Sequence, residues 1–184
     1  FIYGWTNSFR FKDFDLSIFV NGSYGNKVLN YNLLGQGYNG LVHMNSAWTN
    51  QHKSISDRAQ LVPIDPDKSY PTVANKGTKT PRPSFSDPND NDRMSSRYIE
   101  DGSYLRIKNI TLGYNVPKSL LNRIKFDNLR VYVNIQNLYT FTKYSGFDPE
   151  VGASTQDSTG LTYGVDNGRY PSPTTYSCGL NITF

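Results

Sequence analysis

Residues 110–116, Ile-Thr-Leu-Gly-Tyr-Asn-Val, alternate apolar and polar side chains without a break. In a strand, positions two apart share a face. Ile110, Leu112, Tyr114 and Val116 therefore fall on one side, and Asn109, Thr111, Gly113 and Asn115 on the other. Pro117 cannot donate to a ladder and closes the run. The pattern recurs along the chain. Over residues 4–12, Trp5, Asn7, Phe9 and Phe11 oppose Thr6, Ser8, Arg10 and Lys12. Over residues 14–25, Phe14, Leu16, Ile18 and Val20 oppose Asp15, Ser17, Phe19 and Asn21. The link at 12–13 is short enough to make these two runs an antiparallel hairpin.

A third strand is expected over residues 97–116, a fourth over 129–144 and a fifth over 174–184. In the fourth, Leu129, Val131, Val133, Ile135, Tyr139 and Phe141 oppose Arg130, Tyr132, Asn134, Gln136, Thr140 and Thr142. In the fifth, Tyr176, Cys178, Leu180, Ile182 and Phe184 oppose Thr175, Ser177, Gly179, Asn181 and Thr183. The third run breaks phase, because Leu105 and Ile107 sit opposite Ile110 and Leu112 in a regular count. Two explanations stand side by side. Either the membrane-crossing part begins after this point and Arg106 and Lys108 snorkel to water at the rim, or a bulge lies near Lys108 and Asn109.

The links differ in kind. Residues 26–96 hold no sustained alternation; residues 33–60 have room for a short helix or two, and 69–92 are rich in Pro, Asn, Asp, Ser and Thr. Residues 117–128 form a medium link with one expected helical turn, and residues 145–173 a second long polar loop. Long loops on one side and short turns on the other suit a transmembrane barrel better than a compact domain. With the turns at 12–13 and 117–128 on the periplasmic side, the loops at 26–96 and 145–173 are extracellular and the chain ends in the periplasm.

Composition sharpens this picture. The mean hydropathy is −0.58, and no run reaches the roughly 18 apolar residues of a membrane helix. A barrel strand needs only about 9–11 residues, half of them polar, so low hydropathy does not argue against a membrane protein. The net charge of +4 is scattered and reads as solvated surface, with no nucleic-acid patch. The single Cys178 excludes an internal disulfide. The chain opens at Phe1 without a signal peptide, which we take as an interior start, with Phe184 as a C-terminus.

Three stretches carry a family resemblance: residues 96–117, including EDGSYLRIKNITLGY; residues 128–150, NLRVYVNIQNLYTFTKYSGFDPE; and Tyr170-Pro171 followed by the ending GLNITF. The hairpin ending NGSYG at 21–25 adds to them. Together they resemble the C-terminal part of SusC/RagA-family TonB-linked outer-membrane transporters. The resemblance implies an all-β antiparallel barrel, these being the last five of 22 strands around a plugged lumen. It implies import of glycans or peptides across the outer membrane, with a SusD-like surface lipoprotein and the TonB complex as partners. TonB would be contacted through a segment absent from this chain. The ending, with Tyr176, Leu180, Ile182 and Phe184 on one face, resembles the signal read by barrel-assembly machinery. No enzyme activity and no cofactor are implied.

The candidate chemistry is otherwise sparse. Asp148-Pro149-Glu150 reads as a structural loop, with a bound cation as the lesser reading, since two acids around a Pro fall far short of a calcium loop. His43 and His52 lack acidic or Cys partners at ligand spacing, and Gly35-Gln36-Gly37 makes no phosphate cradle. The expected lumen face is polar and mostly uncharged. Its substrate-contact candidates are Tyr132, Asn134, Gln136, Asn109 and Asn181, with Thr111, Asn115 and Thr140 beside them. Amides, hydroxyls and aromatic faces suit hydroxyl-rich neutral cargo. Trp48 and the loop tyrosines suit a sugar, a lipoprotein or packing within the loop. Tyr114, Tyr139, Phe141, Tyr176, Phe184, Phe9 and Phe11 near strand ends suit interfacial girdles. Two other classes compete: a surface β-sandwich that binds glycans or acts as an adhesin, and an accessory domain of a secreted hydrolase. A sandwich prefers short strands with short loops at both ends.

Overall fold

The alternating runs form strands, and the strands pair in chain order. In the computed structural model, which describes residues 1–33, 53–62, 67, 71–82, 89–91, 93–121, 126–152 and 163–184, a five-stranded antiparallel sheet dominates. Its members are β1 (Ile2–Phe11), β2 (Phe14–Ser23), β7 (Tyr104–Asn115), β8 (Asn128–Thr142) and β10 (Thr175–Thr183), in the order β1-β2-β7-β8-β10; a short strand outside this sheet, β6 (Ile99–Asp101), precedes β7. Each is a neighbour of the next long strand in sequence, the simplest up-and-down path. The hairpin between β1 and β2 turns at Lys12, the first of its two linking residues, whose φ of 52° is left-handed. Between β7 and β8, Pro117 stops the ladder and a single helical turn, α1 (Lys118–Leu121), carries the chain across, with Leu121 buried.

The phase break in the third run is a bulge. Ile110 pairs with Ile18 and Ile107 with Val20, so β7 uses one residue more than β2 over the same stretch. Lys108 lies unpaired beside that step. An extra residue reverses parity, which returns Leu105 and Ile107 to the face of Ile110, Leu112 and Tyr114. Arg106 moves to the opposite, polar face. The expectation that Arg106 snorkels to water at a rim is therefore corrected: it lies on the face of the polar set and is only 3% exposed.

Chain contacts divide the protein into two units. The first holds Phe1–Val28, Asp101–Val151 and Arg169–Phe184, and so contains the large sheet. The second holds Leu29–Glu100 and Gly152–Gly168. Within the second, Leu29 and Asn30 at the end of β3 (Lys27–Asn30) pair in parallel with Val165 and Asp166 of β9 (Val165–Asp166). A small antiparallel pair joins β4 (Leu61–Val62) to β5 (Thr72–Val73). Asn75 ties the backbone beside it, accepting from the Gln60 N–H at 2.8 Å and donating to the Arg58 carbonyl at 2.9 Å. Tyr98 is fully buried, its hydroxyl on the Asn91 carbonyl at 2.5 Å, and Asn30 donates to Glu100 at 2.9 Å. His43, His52, Trp48 and Gly35-Gln36-Gly37 lie outside the described residues, as does most of the stretch read as helix over 33–60.

Candidate functional site

The two faces of the large sheet have opposite chemistry. Register places Trp5, Phe9 and Phe11 of β1 beside Val20, Leu16 and Phe14 of β2. The same side continues through Leu112 and Tyr114, then Val133 and Val131, then Cys178 and Leu180. Much of this side is open: Trp5 is 63% exposed, Leu180 62% and Val133 47%, while Leu16, Val20 and Tyr114 are half-buried. The few buried apolar residues of the described chain, Val28, Tyr98, Tyr104, Leu121 and Tyr144, include none from this side. An exposed apolar surface of such extent marks a face that meets a membrane or another protein surface. Aromatic rings flank it at both ends. Phe14 packs on Tyr114 at 4.7 Å and Phe126 on Phe184 at 5.2 Å at the end with the short links. Tyr139 meets Phe141 edge-on at 4.7 Å at the other end. Ten-residue strands inclined by about 45° span about 25 Å, the height of a barrel's apolar band.

The opposite face is a polar mosaic. Asn109 sits beside Gln136 and donates to Thr111 at 3.2 Å, and the Thr111 hydroxyl donates to Asn134 at 2.9 Å. Tyr132 lies over Gly179, where an added Cβ would meet its ring at 2.5 Å. Asn181 stands next to Arg130 in register. Arg130 makes a two-pronged pair with Asp15, at 3.1 Å from Nε and 2.6 Å from Nη2, across Gly113. Asn115 donates to the same carboxylate at 3.2 Å.

Toward the long-loop end, Arg106 gathers a second charged node. Its Nε donates to Thr140 at 2.7 Å, its Nη1 to Glu150 at 2.6 Å and its Nη2 to Asp148. Lys108 reaches Glu150 at 3.0 Å. Asp148 also accepts from the backbone N–H groups of Glu150 at 3.0 Å and Ser172 at 3.2 Å. Burial pushes the Asp148 carboxyl up, but these two N–H donors and the guanidinium outweigh it, and it lies below the ordinary value of 3.8. The loop reading of Asp148-Pro149-Glu150 thus has a physical basis, with both acids committed to cations of the chain itself.

No protein-family model matches the chain. Curated relatives do. TonB-dependent receptor P3 of Formosa agariphila is 36% identical over the full chain, which spans 16% of that receptor. Receptor P26 of the same organism is 30% identical, again over the full chain and 17% of its own length. TonB-dependent receptor SusC of Bacteroides thetaiotaomicron is 36% identical over half of the chain. Among solved structures, the RagAB peptide importer in its open-open state matches the whole chain with a TM-score of 0.62 at 24% identity, over 17% of its own chain. This chain belongs to the SusC/RagA type of TonB-dependent receptors.

It spans about one sixth of the length of the curated receptors it matches. TonB-dependent receptors are outer-membrane proteins and transporters, not enzymes. Their fold accounts for the uncovered apolar face, which a β-sandwich would have buried. All five substrate-contact candidates lie on the receptor's polar face, and Tyr176, Leu180, Ile182 and Phe184 lie exposed on or beside the apolar one. Sequence reasoning missed the two charged nodes. Arg106 and its acids are 42 and 44 positions apart, and Arg130 and Asp15 are 115 apart. The only sequence sign was the parity break at Lys108.

Proposed function

We propose that these residues are the closing wall of an outer-membrane importer: the last five of 22 barrel strands, with the polar face lining the lumen. The loops at 26–96 and 145–173 are extracellular, and the turns at 12–13 and 117–128 periplasmic. The cargo is a glycan or a peptide, handed over with a SusD-like lipoprotein and drawn in by energy delivered through TonB. The wall makes and breaks no bonds.

One observation carries this reading. A continuous five-strand face is apolar, open and bordered by aromatic rings, while its reverse is polar and hydrogen-bonded. Lipid outside and water inside is the environment that stabilises both. Asn109, Asn134 and Gln136 line the part of the lumen between the two charged nodes, and Tyr132 and Asn181 stand beside Arg130 of the lower node. There, amides and hydroxyls offer hydrogen bonds without net charge, and the Tyr132 ring beside the neutral Arg130–Asp15 pair adds a stacking surface. That chemistry favours hydroxyl-rich neutral cargo, and glycans over peptides; the likeness to a peptide importer keeps peptides as the second reading. The test is uptake of defined glycans and peptides by a strain lacking the receptor and by the complemented strain. Uptake of glycans that depends on the receptor supports the first reading, and uptake of peptides alone supports the second. Recovery of the full-length receptor in the soluble fraction without detergent would overturn both.

A further inference from the structure

We propose that Arg106 is a latch that folds the segment after β8 inward and holds it, with the segment before β10, as one fixed part of the lumen wall. The proposal rests on the reading of the polar face as lumen. The chain turns sharply on leaving β8: Tyr144 is buried and its ring lies against Gly146, leaving no room for a Cβ there. This brings Asp148-Pro149-Glu150 back over β7. All three guanidinium nitrogens are then used, on Thr140 of β8, Glu150 and Asp148. The Tyr104 ring lies 5.5 Å from the guanidinium carbon.

Asp148 is the junction. One of its oxygens holds Arg106 and the Glu150 N–H, and the other holds the Ser172 N–H, so a single carboxylate ties the segment leaving β8 and the segment entering β10 to β7. Two cations, Arg106 and Lys108, meet two carboxylates, and the node is neutral toward passing cargo. With Arg106 3% and Asp148 8% exposed, water cannot replace either partner while the segment is seated. Lifting it must expose both charges together, so seated and released are two distinct states. Whatever motion the outer loops make, these two segments stay with the wall.

The test uses full-length receptor purified in detergent, with hydrogen exchange followed by mass spectrometry. In Arg106→Gln, exchange over residues 144–152 and 169–173 should rise at least tenfold, while β1, β2 and the lower halves of β7 and β8 keep wild-type protection. In Asp148→Ala, which leaves Arg106 in place but removes the shared carboxylate, exchange should rise over the same two segments. Unchanged exchange in assembled Arg106→Gln, or a uniform rise across all strands, overturns the latch. If Arg106→Gln does not assemble, Asp148→Ala decides: unchanged exchange at both segments, or a uniform rise across all strands, overturns it. Heat-modifiable migration of the wild-type receptor separately reports whether a barrel exists at all. Its absence would sink the lumen reading, whereas exchange at these two segments is still measurable.

Discussion

Val133 and Asn134 are adjacent in β8 and face opposite ways, so the same substitution at each isolates the difference between the two faces. Val133 lies on the open apolar face between Leu112 and Cys178 in register. Along β8 it sits in an aliphatic run, Leu129 to Ile135, with Tyr139 and Phe141 beyond one end and the Phe126–Phe184 pair near the other. That places it close to the middle of the apolar band, where Arg costs about 2–4 kcal/mol. Asn134 loses the hydrogen bond it accepts from Thr111 at 2.9 Å, worth about 1 kcal/mol, and the new guanidinium stays in water. Val133→Arg should therefore be worse than Asn134→Arg by about 1–3 kcal/mol, roughly five- to 150-fold in the folding equilibrium. Urea titration of full-length receptor refolded into liposomes, scored by heat-modifiable migration, measures both. Leu180→Arg against Asn181→Arg repeats the comparison on β10. Equal losses at the two faces, or a larger loss at Asn134, would refute the assigned orientation.

Three further outcomes follow from single contacts. Asp148 lies below its ordinary value in the folded protein, so its contribution is complete above that value and is lost as pH falls through the depressed one. Protease protection of residues 144–152 should persist at pH 3.8 and fail only in stronger acid; loss well above pH 3.8 would contradict the bonding described. Gly179→Val pushes on the far end of the Tyr132 side chain, a flexible group that can swing away. Assembly should hold within about 1 kcal/mol, and cargo uptake should fall as far as in Tyr132→Ala; normal uptake in both variants would remove Tyr132 from the pathway. Phe184→Ala should lower the assembled amount in cells more than it lowers stability after refolding of the purified receptor, and equal amounts in cells would end its role as an assembly signal.

The five strands were legible because an apolar face on one side and a polar face on the other write a two-residue period into each run. The bulges show where that legibility stops. From Ile18 to Val20, β2 takes two steps; the matching stretch takes three in β7, from Ile110 to Ile107, and four in β8, from Ile135 to Tyr139. Three is odd, and the sequence of β7 betrays it as a parity break. Four is even, so β8 keeps its parity on both sides of its irregularity at Asn137, whose φ is 52°, and only Asn137 and Leu138 fall out of the alternation. Misplacing Arg106 followed directly, since one residue of parity decides between an outward rim charge and an inward buried one. The charged nodes were illegible for a different reason. Asp15 and Arg130 become neighbours only through the register of three strands, which turns far from either residue set.

The sheet order carries a final consequence. β1 and β10 each pair on one side only among the described residues, so each presents a row of backbone N–H and C=O groups at its outer edge. In water such an edge is solvated and invites aggregation. In hydrocarbon every unsatisfied group costs several kcal/mol, and β10 alone runs over nine residues, so an open edge outweighs what its apolar face gains from lipid. The apolar face and the open edges thus make contradictory demands unless further strands satisfy both edges. Expressed alone, these 184 residues should not insert as a folded monomer, and in liposomes they should show no heat-modifiable band and aggregate as concentration rises. A protected, monomeric, membrane-inserted form of the isolated chain would mean that the sheet satisfies its edges by itself, and the closing-wall reading would fall with it.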